Sequence, residues 1–343
     1  MTHLLGRFLH SREIGILIAL VAVIAVTTLV NPTFLFSPDG WRDLLLTPTM
    51  LVLVSVGQAV VIITRNVDLS VGSAVGLAAY FCGRMFIDFP GIPVVFVFIL
   101  AMVFGAVLGL VNGLLTAYGR VPSLVITLGT MYAFRGALVL WAGSNRINPS
   151  DMPGSFLDLG TSALLSIPWL AIIAIVVTVI IGWYLRSRRS GREFYAIGSD
   201  PAAAELYGLK VRRRVIAAFL ISGVLAGLAG ALYAARYGTT DSQTGTGLEL
   251  QAVGAAVIGG VAIFGGSGTV WGAAIGAMLL LTINRALPIV GIPDFWQQAV
   301  VGVLIIGAIV LDRVLSLRTR RRLLAQRHDP ETPAAPALEG VQR

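Results

Sequence analysis

Polar side chains inside or beside long apolar runs are the residues of this sequence whose chemistry most needs an explanation. Asp68 follows one apolar run, Glu249 precedes another, and Arg135 falls inside a third. A charge is costly within a bilayer and is usually tolerated only with a partner or beside a water-filled path. We therefore predict that a group of polar residues lines a path, or its gate, for a polar solute: Asn66, Asp68, Ser70, Asn112, Arg135 and Glu249.

Helix capping is a competing interpretation for two of these residues. Asp68 could cap the helix that follows it, with Ser70 nearby, and Glu249 could cap a later helix. Arg135 has no cap to make, because it lies well inside an apolar run. We expect its side chain to face the protein interior, against a carboxylate or backbone carbonyl groups.

Few residues of the chain could take part in enzyme chemistry. Lys210 is the only lysine and lies between Leu209 and Val211, so the Gly-Lys-Ser/Thr ending of a phosphate-binding loop cannot occur. The glycine-rich residues 265–268 lack the full dinucleotide-binding pattern and are predicted to form a tight cytoplasmic turn. The single cysteine, Cys82, lies in an apolar run, and the histidines lie near the chain ends: His3, His10 and His328. The sequence predicts no catalytic residue, no metal site, no cofactor and no ATP hydrolysis by this chain itself.

The elements that hold these residues are predicted to be membrane-spanning helices. Hydrophobic residues make up 56% of the chain and charged residues 12%, and apolar runs of about 20 residues recur along its length. We predict an all-α polytopic fold with about ten spans, between a cytoplasmic lead at 1–13 and a disordered basic, proline-containing tail at 316–343. The predicted spans are 14–30, 44–64, 69–87, 94–118, 124–142, 163–185, 215–236, 250–264, 270–287 and 295–311.

Basic residues give the predicted orientation. When the loops are assigned alternately to two sides, 19 of the 25 Lys and Arg residues fall on one side, together with both termini and the central loop. Cytoplasmic loops carry such an excess of positive charge. The sequence therefore predicts cytoplasmic termini, and the net charge of +8 needs no nucleic-acid partner.

Ten spans divided five and five suggest an inverted repeat, because an odd-numbered unit copied in tandem inserts the opposite way up. Residues 104–109 resemble residues 271–276, and Asp68-Leu69 resembles Glu249-Leu250; the members of each pair lie five predicted spans apart. Chance matching among Gly, Ala and Leu is an alternative explanation. Small residues spaced by four, such as Gly105 with Gly109 and Gly272 with Gly276, are also typical of helix contact faces.

The longest polar break in the chain, residues 186–214, contains the signals of a short helix. Asp200 can cap its N-terminus, Pro201 suits the first helical position, and Gly208 can end it in a left-handed conformation. Such a helix, outside the bilayer and flanked by arginines, either docks against a partner or is one turn of a solvated loop.

Four ordered segments resemble signatures of the ribose-type permease family of bacterial ABC importers. Residues 65–73 (RNVDLSVGS) resemble its IDLSVGS signature, and residues 111–115 (VNGLL) and 121–130 (VPSLVITLGT) resemble its NGLL and PxFIxTLGT segments. Residues 191–208 are similar to its GRxxYAxG cytoplasmic loop, and residues 255–276 to its late glycine-rich block. The resemblance runs from about the second predicted span to the end.

Two positions depart from the family pattern. Arg65-Asn66 replaces a pair of the Gly-Gly type, which leaves the local backbone less flexible. Asp200 stands where the family often has Asn, and it can still cap a helix.

The resemblance implies a permease domain at 14–315 in the bacterial inner membrane, surrounded by membrane lipid. It implies three kinds of protein partner: a cytoplasmic ABC ATPase, a periplasmic or lipid-anchored sugar-binding protein, and a second permease chain in a homodimer or heterodimer. The short helix in 186–214 would then couple the permease to the ATPase. The residues assigned to coupling are Gly191, Arg192, Glu193, Tyr195, Gly198, Asp200, Pro201, Ala203, Glu205 and Gly208.

The substrate and the energy source have alternatives. Residues 247–268 and 292–296 look closest to the rhamnose and autoinducer-2 branch of the family, while ribose, xylose or another monosaccharide stays possible. An ion-coupled secondary transporter of a small polar solute could also have ten spans and an inverted repeat, but it would need buried carboxylates, which are few here. A passive channel gives no reason for a capped helix in the central loop.

Overall fold

The computed structural model describes residues 12–37 and 39–293, together with residues 296, 298–300, 302–303, 306–307 and 310. Most of the predicted lead and the whole predicted tail lie outside these residues. The predicted tenth span, 295–311, also lies largely outside them. The regular secondary structure of the described chain is helical apart from one short hairpin, in agreement with the predicted all-α class.

The first half of the chain forms seven helices. Proline precedes several of them, because its missing N–H is not needed before the first helical turn. The helices are α1 (Arg12–Val30), α2 (Thr33–Phe36), α3 (Gly40–Leu46), α4 (Thr49–Ile63), α5 (Val71–Asp88), α6 (Val94–Tyr118) and α7 (Ser123–Ala142).

A short 3-10 helix (Pro149–Asp151) and α8 (Gly154–Thr161) follow, and then a hairpin of β1 (Ala163–Leu164) and β2 (Ile167–Pro168). The predicted sixth span, 163–185, is therefore wrong at its start. Leu165 and Ser166 between the strands both have positive φ, as a two-residue hairpin turn requires. The remaining helices are α9 (Trp169–Ser187), α10 (Arg189–Ser199), α11 (Pro201–Leu206), α12 (Val211–Tyr237), α13 (Leu248–Ile258) and α14 (Val270–Ile289).

Seven segments of the described chain are helical, long and apolar enough to cross a membrane: Glu13–Val30, Gly40–Ile63, Val94–Tyr118, Ser123–Ala142, Trp169–Ser187, Val211–Tyr237 and Val270–Ile289. Besides the predicted tenth span, two predicted spans are not among them, the third and the eighth. The third corresponds to α5, which is 18 residues long but carries Arg84 and Asp88.

The predicted eighth span, 250–264, is wrong at its end, because α13 stops at Ile258. Gly260 follows with a φ of 84°, in the left-handed region, and no helix resumes before Val270. An 11-residue helix is about 16 Å long, roughly half the thickness of the hydrocarbon core. Helix α13 alone does not span a bilayer.

Helices α4 and α12 form the centre of the bundle. In the 18-residue apolar window of Gly40–Ile63, 94% of the residues are buried within the protein, whereas 11% are buried in the corresponding window of α7. Helix α12 packs against α4, α5 and α6, and α4 packs against α12, α13 and α14. The single cysteine, Cys82, is buried in this bundle.

Glycines bring the backbones of α6 and α12 into contact. A Cβ atom on Gly105 would lie 2.8 Å from the Cα atom of Gly227, and one on Gly109 would lie 3.0 Å from the Cα atom of Gly223. Gly272 and Gly276 of α14 meet the end of α13 in the same way, at Gly259. The predicted role of these small residues as helix contact faces is confirmed.

Candidate functional site

A non-helical break at residues 64–70 separates α4 from α5 and holds the first candidate residues. Its backbone hydrogen-bonds to the start of α7: Val67 N donates to Ser123 Oγ at 3.1 Å, and Thr127 Oγ1 donates to Val67 O at 3.1 Å. Irregular backbone is tolerated among membrane helices only where protein groups or water satisfy it. Arg65 within this break has a φ of 66°, a left-handed conformation that normally favours glycine.

Asp68 is the centre of a buried polar network. Its Oδ1 accepts hydrogen bonds from Ser70 N at 3.0 Å and Ser70 Oγ at 2.7 Å, and its Oδ2 accepts one from Ser222 Oγ at 3.4 Å. Asn112 Nδ2 donates to Ser70 Oγ at 2.6 Å. With its side-chain amide oriented to satisfy both bonds, Gln58 donates to the backbone oxygen of Asp68 and accepts from the backbone N–H of Asp68, each at 3.1 Å. We call Asp68, Ser70, Asn112 and Ser222 the Asp68 network; it joins α5, α6 and α12.

The network connects three helices. Ser70, and not Asp68, occupies the N-cap position of α5, so the capping interpretation is wrong for Asp68. The bonds from Ser70 to Asp68 are local and lie just before the first turn of the helix. The bonds that involve Asn112 and Ser222 instead cross to two other helices. Within the described chain, Asn112 Oδ1 is buried without a hydrogen-bond partner. A buried acceptor of this kind is costly unless a donor reaches it, and a hydroxyl of a passing solute or a water molecule is such a donor.

Arg135 and Glu249 form a second group, apart from the Asp68 network. Arg135 Nη1 donates to the backbone oxygens of Ser242 at 3.2 Å and Thr244 at 2.7 Å, which confirms the expected contact with carbonyl groups. Gly247, and not Glu249, occupies the N-cap position of α13, so the predicted cap is wrong. Glu249 lies in the first turn, and its Oε1 accepts a hydrogen bond from Gly247 N at 3.2 Å.

The structure thus brings together three of the six candidate path residues, Asp68, Ser70 and Asn112. A Cβ atom on Gly72 would overlap the Glu249 carboxylate, so this glycine lies between the network and the second group. Asn66 belongs to neither group, because its side chain donates to Thr64 within the break itself.

The predicted capped helix is present as α11. Asp200 Oδ1 accepts hydrogen bonds from the backbone N–H groups of Ala202 and Ala203, each at 3.0 Å, and Pro201 is the first helical residue. Gly208 has a φ of 78°, the left-handed conformation predicted for it. The predicted cap, first residue and stop are therefore confirmed.

Leu206 and Tyr207, at the end of α11, have 89% and 87% of their surface exposed. Ala204, by contrast, is buried against the rest of the protein. The helix is therefore held by one side while two large side chains project from it.

Helix α10 was not predicted. It buries the residues Gly191, Phe194, Ile197 and Gly198, whose spacing of three and four residues is the signal that could have revealed it. Glu193 on this helix accepts a hydrogen bond from Arg214 Nε of α12 at 2.6 Å. This ion pair connects the central loop to a bundle helix.

Eight of the ten predicted coupling residues lie on α10 or α11, while Asp200 lies between these two helices and Gly208 lies between α11 and α12. Tyr195 is half-buried, and burial, together with the charge of Glu13, raises the pKa of its phenol, so the hydroxyl stays a hydrogen-bond donor. Two of the ten are buried, Gly191 and Gly198; four are partly buried, Glu193, Tyr195, Pro201 and Ala203; four are exposed, Arg192, Asp200, Glu205 and Gly208.

The end of α10 contacts the end of α4. A Cβ atom on Gly198 would overlap the carbonyl oxygen of Ile63, and Gly266 N donates to the same oxygen at 3.0 Å. Residues 265–268 form the predicted tight turn, with positive φ at each of their three glycines. The central loop, this turn and the last residue of α4 meet at one point, directly before the break that leads to Asp68.

Within the described residues, no cluster of three or more His, Cys, Asp or Glu side chains is placed to hold a metal ion. The polar groups of the site hydrogen-bond to one another across helices. Such an arrangement can bind or gate a hydroxylated solute.

The chain is similar to known transport proteins over most of its length. Residues 42–309 match the family described as "Branched-chain amino acid transport system / permease component". No solved structure shows significant similarity to the chain.

Three relatives share the name Autoinducer 2 import system permease protein LsrC. The protein from Enterobacter sp. (strain 638) is 37% identical over 326 residues, which cover 94% of this chain and 93% of the relative. The protein from Klebsiella pneumoniae is 36% identical over 325 residues, with the same coverage. The protein from Escherichia coli (strain K12 / DH10B) is 32% identical over 338 residues, which cover 97% of both chains.

These matches confirm the family resemblance predicted from the four motifs. They also agree with a chain that supplies a membrane path while a separate subunit hydrolyses ATP. The chain belongs to the family of transport-system permease components, and it is a multi-pass membrane transport subunit and not an enzyme.

Proposed function

We propose that the chain is the permease subunit of an ATP-driven importer that carries autoinducer-2, or a sugar-like solute such as a rhamnose-type deoxysugar, across the bacterial inner membrane. The names of the relatives support autoinducer-2 as the first candidate. Several hydroxyl groups on such a solute would match the hydrogen-bonding Asp68 network. Asn66, Arg135 and Glu249 are the further residues proposed for the path.

The exposed end of α11 is the observation that supports coupling to an ATPase. Leu206 and Tyr207 are almost fully exposed on a helix that the positive-inside rule assigns to the cytoplasm. Tyrosine is a typical anchor of a protein interface, and adjoining exposed apolar side chains mark interaction surfaces. We propose that they dock into the ATPase, with Glu205 and the other exposed coupling residues around them.

The contact at Ile63 supports a mechanical route from the ATPase to the path. Movement of α11 and α10 would reach the end of α4 through Gly198. The break at 64–70 would then change the position of Asp68 relative to Asn112 and Ser222. Two discrete arrangements of this network would correspond to outward-open and inward-open states.

The packing pattern supports a five-plus-five inverted repeat. Helix α12 contacts α6 and α5, while α4 contacts α14 and α13. Helices α13 and α14 lie five predicted spans after α5 and α6, just as α12 lies five predicted spans after α4. Helices α4 and α12 also pack against each other as a central pair. We propose ten membrane-crossing segments in all, the eighth of them formed by α13 together with the irregular residues 259–269, with both termini cytoplasmic.

Three kinds of partner complete the proposed importer: the cytoplasmic ATPase, a periplasmic or lipid-anchored binding protein that delivers the solute, and a second permease chain. The largely unburied surfaces of α6 and α7 would face lipid or that second chain.

The decisive experiment alters α11 and leaves the bundle intact. Glu205→Arg reverses an exposed charge with little change in helix propensity, and Ala203→Gly with Ala204→Gly weakens the helix by about 1 to 2 kcal/mol. Both variants should reach the membrane at a near-normal level but lose substrate-stimulated ATP hydrolysis by the partner and lose uptake. Asp158→Arg, a charge reversal on α8 on the proposed periplasmic side, is the matched control.

Full uptake by both variants with the ATPase still bound would contradict the coupling role of α11. Uptake that survives loss of the ATPase and collapses with an ionophore would instead indicate an ion-coupled secondary transporter. Competition of labelled autoinducer-2 uptake by rhamnose and ribose would identify the solute.

A further inference from the structure

We infer that a groove between α9 and α14 binds an anionic phospholipid of the cytoplasmic leaflet, with the lipid phosphate against Arg186 and Arg192. The groove consists of a polar cavity at the cytoplasmic ends of the helices and an apolar crevice deeper in the membrane. Trp271 lines both parts.

The polar cavity has the size and the charge for a phosphate headgroup. Its volume is about 530 Å³, and Arg186, Arg192 and Tyr195 are among its lining residues. Glu13 also lines it, but the Glu13 carboxylate already accepts a hydrogen bond from the Thr269 hydroxyl. Basic pockets between membrane helices on the cytoplasmic side bind the headgroups of anionic lipids.

The crevice supplies the place for an acyl chain. It has a volume of about 180 Å³ and is lined mainly by apolar side chains, among them Val52, Ala174, Ile275 and Met278. A soluble phosphate ion would make no contact with such a surface, whereas an acyl chain, already in the apolar layer of the membrane, would gain van der Waals packing there.

The two parts lie on one line along α9. Ala174, Thr178, Gly182 and Arg186 are spaced by four residues and therefore form one continuous ridge that is inclined to the helix axis. From Ala174 to Arg186 the helix rises by about 18 Å, slightly more than the roughly 15 Å of one leaflet's hydrocarbon layer. The lining therefore changes from basic to apolar at the depth where a phospholipid changes from headgroup to chain.

A lipid in this groove would contact the coupling machinery. Arg192 and Tyr195 belong to α10, Arg186 belongs to α9, and Trp271 begins α14. The bound headgroup would connect the central loop to two bundle helices. The lipid composition of the inner leaflet would then influence how firmly α10 is held.

Lipid binding to the purified full chain tests this inference, and it needs neither the ATPase nor the transported solute. We expect delipidated protein in detergent to bind phosphatidylglycerol, measured by native mass spectrometry, more tightly than phosphatidylcholine or inorganic phosphate. Arg186→Gln and Arg192→Gln should each weaken phosphatidylglycerol binding about five- to tenfold. Arg188→Gln is the control, because Arg188 stacks on Trp183 and does not line the cavity.

Three results would each overturn the inference. One is equal phosphatidylglycerol binding by Arg186→Gln, Arg188→Gln and the unaltered protein. Another is equal affinity for phosphatidylcholine and phosphatidylglycerol, which would show that the negative charge of the headgroup does not contribute to binding. The third is displacement of the lipid by inorganic phosphate at similar concentration, which would indicate a free anion as the ligand.

Discussion

Gly198 of the central loop lies against the carbonyl oxygen of Ile63, the last residue of α4, with no room for a side chain between them. The same oxygen accepts the hydrogen bond from Gly266 N. Three segments far apart in sequence therefore meet at one backbone atom. This contact connects the cytoplasmic helices to the break that carries Asp68.

Gly198→Ala should separate these segments. The added methyl group overlaps the Ile63 oxygen, so α10 must shift, at an expected cost of about 1 to 3 kcal/mol. Because α11 keeps its own cap, the ATPase should still copurify while ATP-dependent uptake falls. Gly129→Ala is the matched control, since nothing lies within 4 Å of the position of its Cβ atom. Normal uptake by Gly198→Ala would show that the contact between Gly198 and Ile63 does not transmit movement from α10 to α4.

Asp68→Asn should leave the chain inserted but reduce transport. The amide keeps the size of the carboxylate and can still accept the bonds from Ser70, so the start of α5 stays organised. Loss of the charge weakens a charge-assisted network, and we expect uptake to fall about tenfold or more. The same substitution at Asp88, at the outer end of α5, serves as a control. Uptake by Asp68→Asn equal to that of the Asp88→Asn control would leave Asp68 with a structural role alone.

Arg65→Gly should stabilise the protein. Arg65 has a φ of 66°, and relief of that strain outweighs the greater chain entropy of glycine by about 0.5 to 1 kcal/mol. The thermal midpoint in detergent should therefore rise. Arg65→Ala removes the same exposed side chain without relieving the backbone, so its midpoint should not rise. Equal thermal midpoints for the two variants would show that relief of backbone strain at residue 65 does not stabilise the protein.

Thiol labelling in intact cells tests the orientation. Ser187 and Ser144 are exposed on opposite sides in the proposed topology, and the native Cys82 is buried. A cysteine introduced at Ser187 should resist a membrane-impermeant reagent, while one at Ser144 should react. The opposite pattern would reverse the assignment of the central loop to the cytoplasm.

Local rules explain which features were predictable from sequence. Helix α11 depends on Asp200, Pro201 and Gly208, all within nine residues, so its start and stop follow from capping alone. The contact of Arg135 with carbonyl groups followed from the cost of burying a charge, although the partners, Ser242 and Thr244, could not be named.

Long-range contacts explain what was missed. Helix α10 has no side-chain cap; it is held by burial of Phe194 and Ile197 and by the ion pair with Arg214. Ser222 joins the Asp68 network from 154 residues away, and no local pattern marks it. The early end of α13 depends on the left-handed Gly260, which an apolar composition does not distinguish from a continuing helix.

The glycine contact between α6 and α12 affects how force passes through the protein. Because the two backbones touch, sliding one helix along the other would bring side chains where only glycine fits. We expect the pair to move as one rigid body, so spin labels at Val107 and Leu220 should keep a constant separation during ATP turnover; a changing separation would contradict this. Only residues 207–210 separate α11 from α12. A displacement of α11 would therefore move the membrane helices α12 and α6 together.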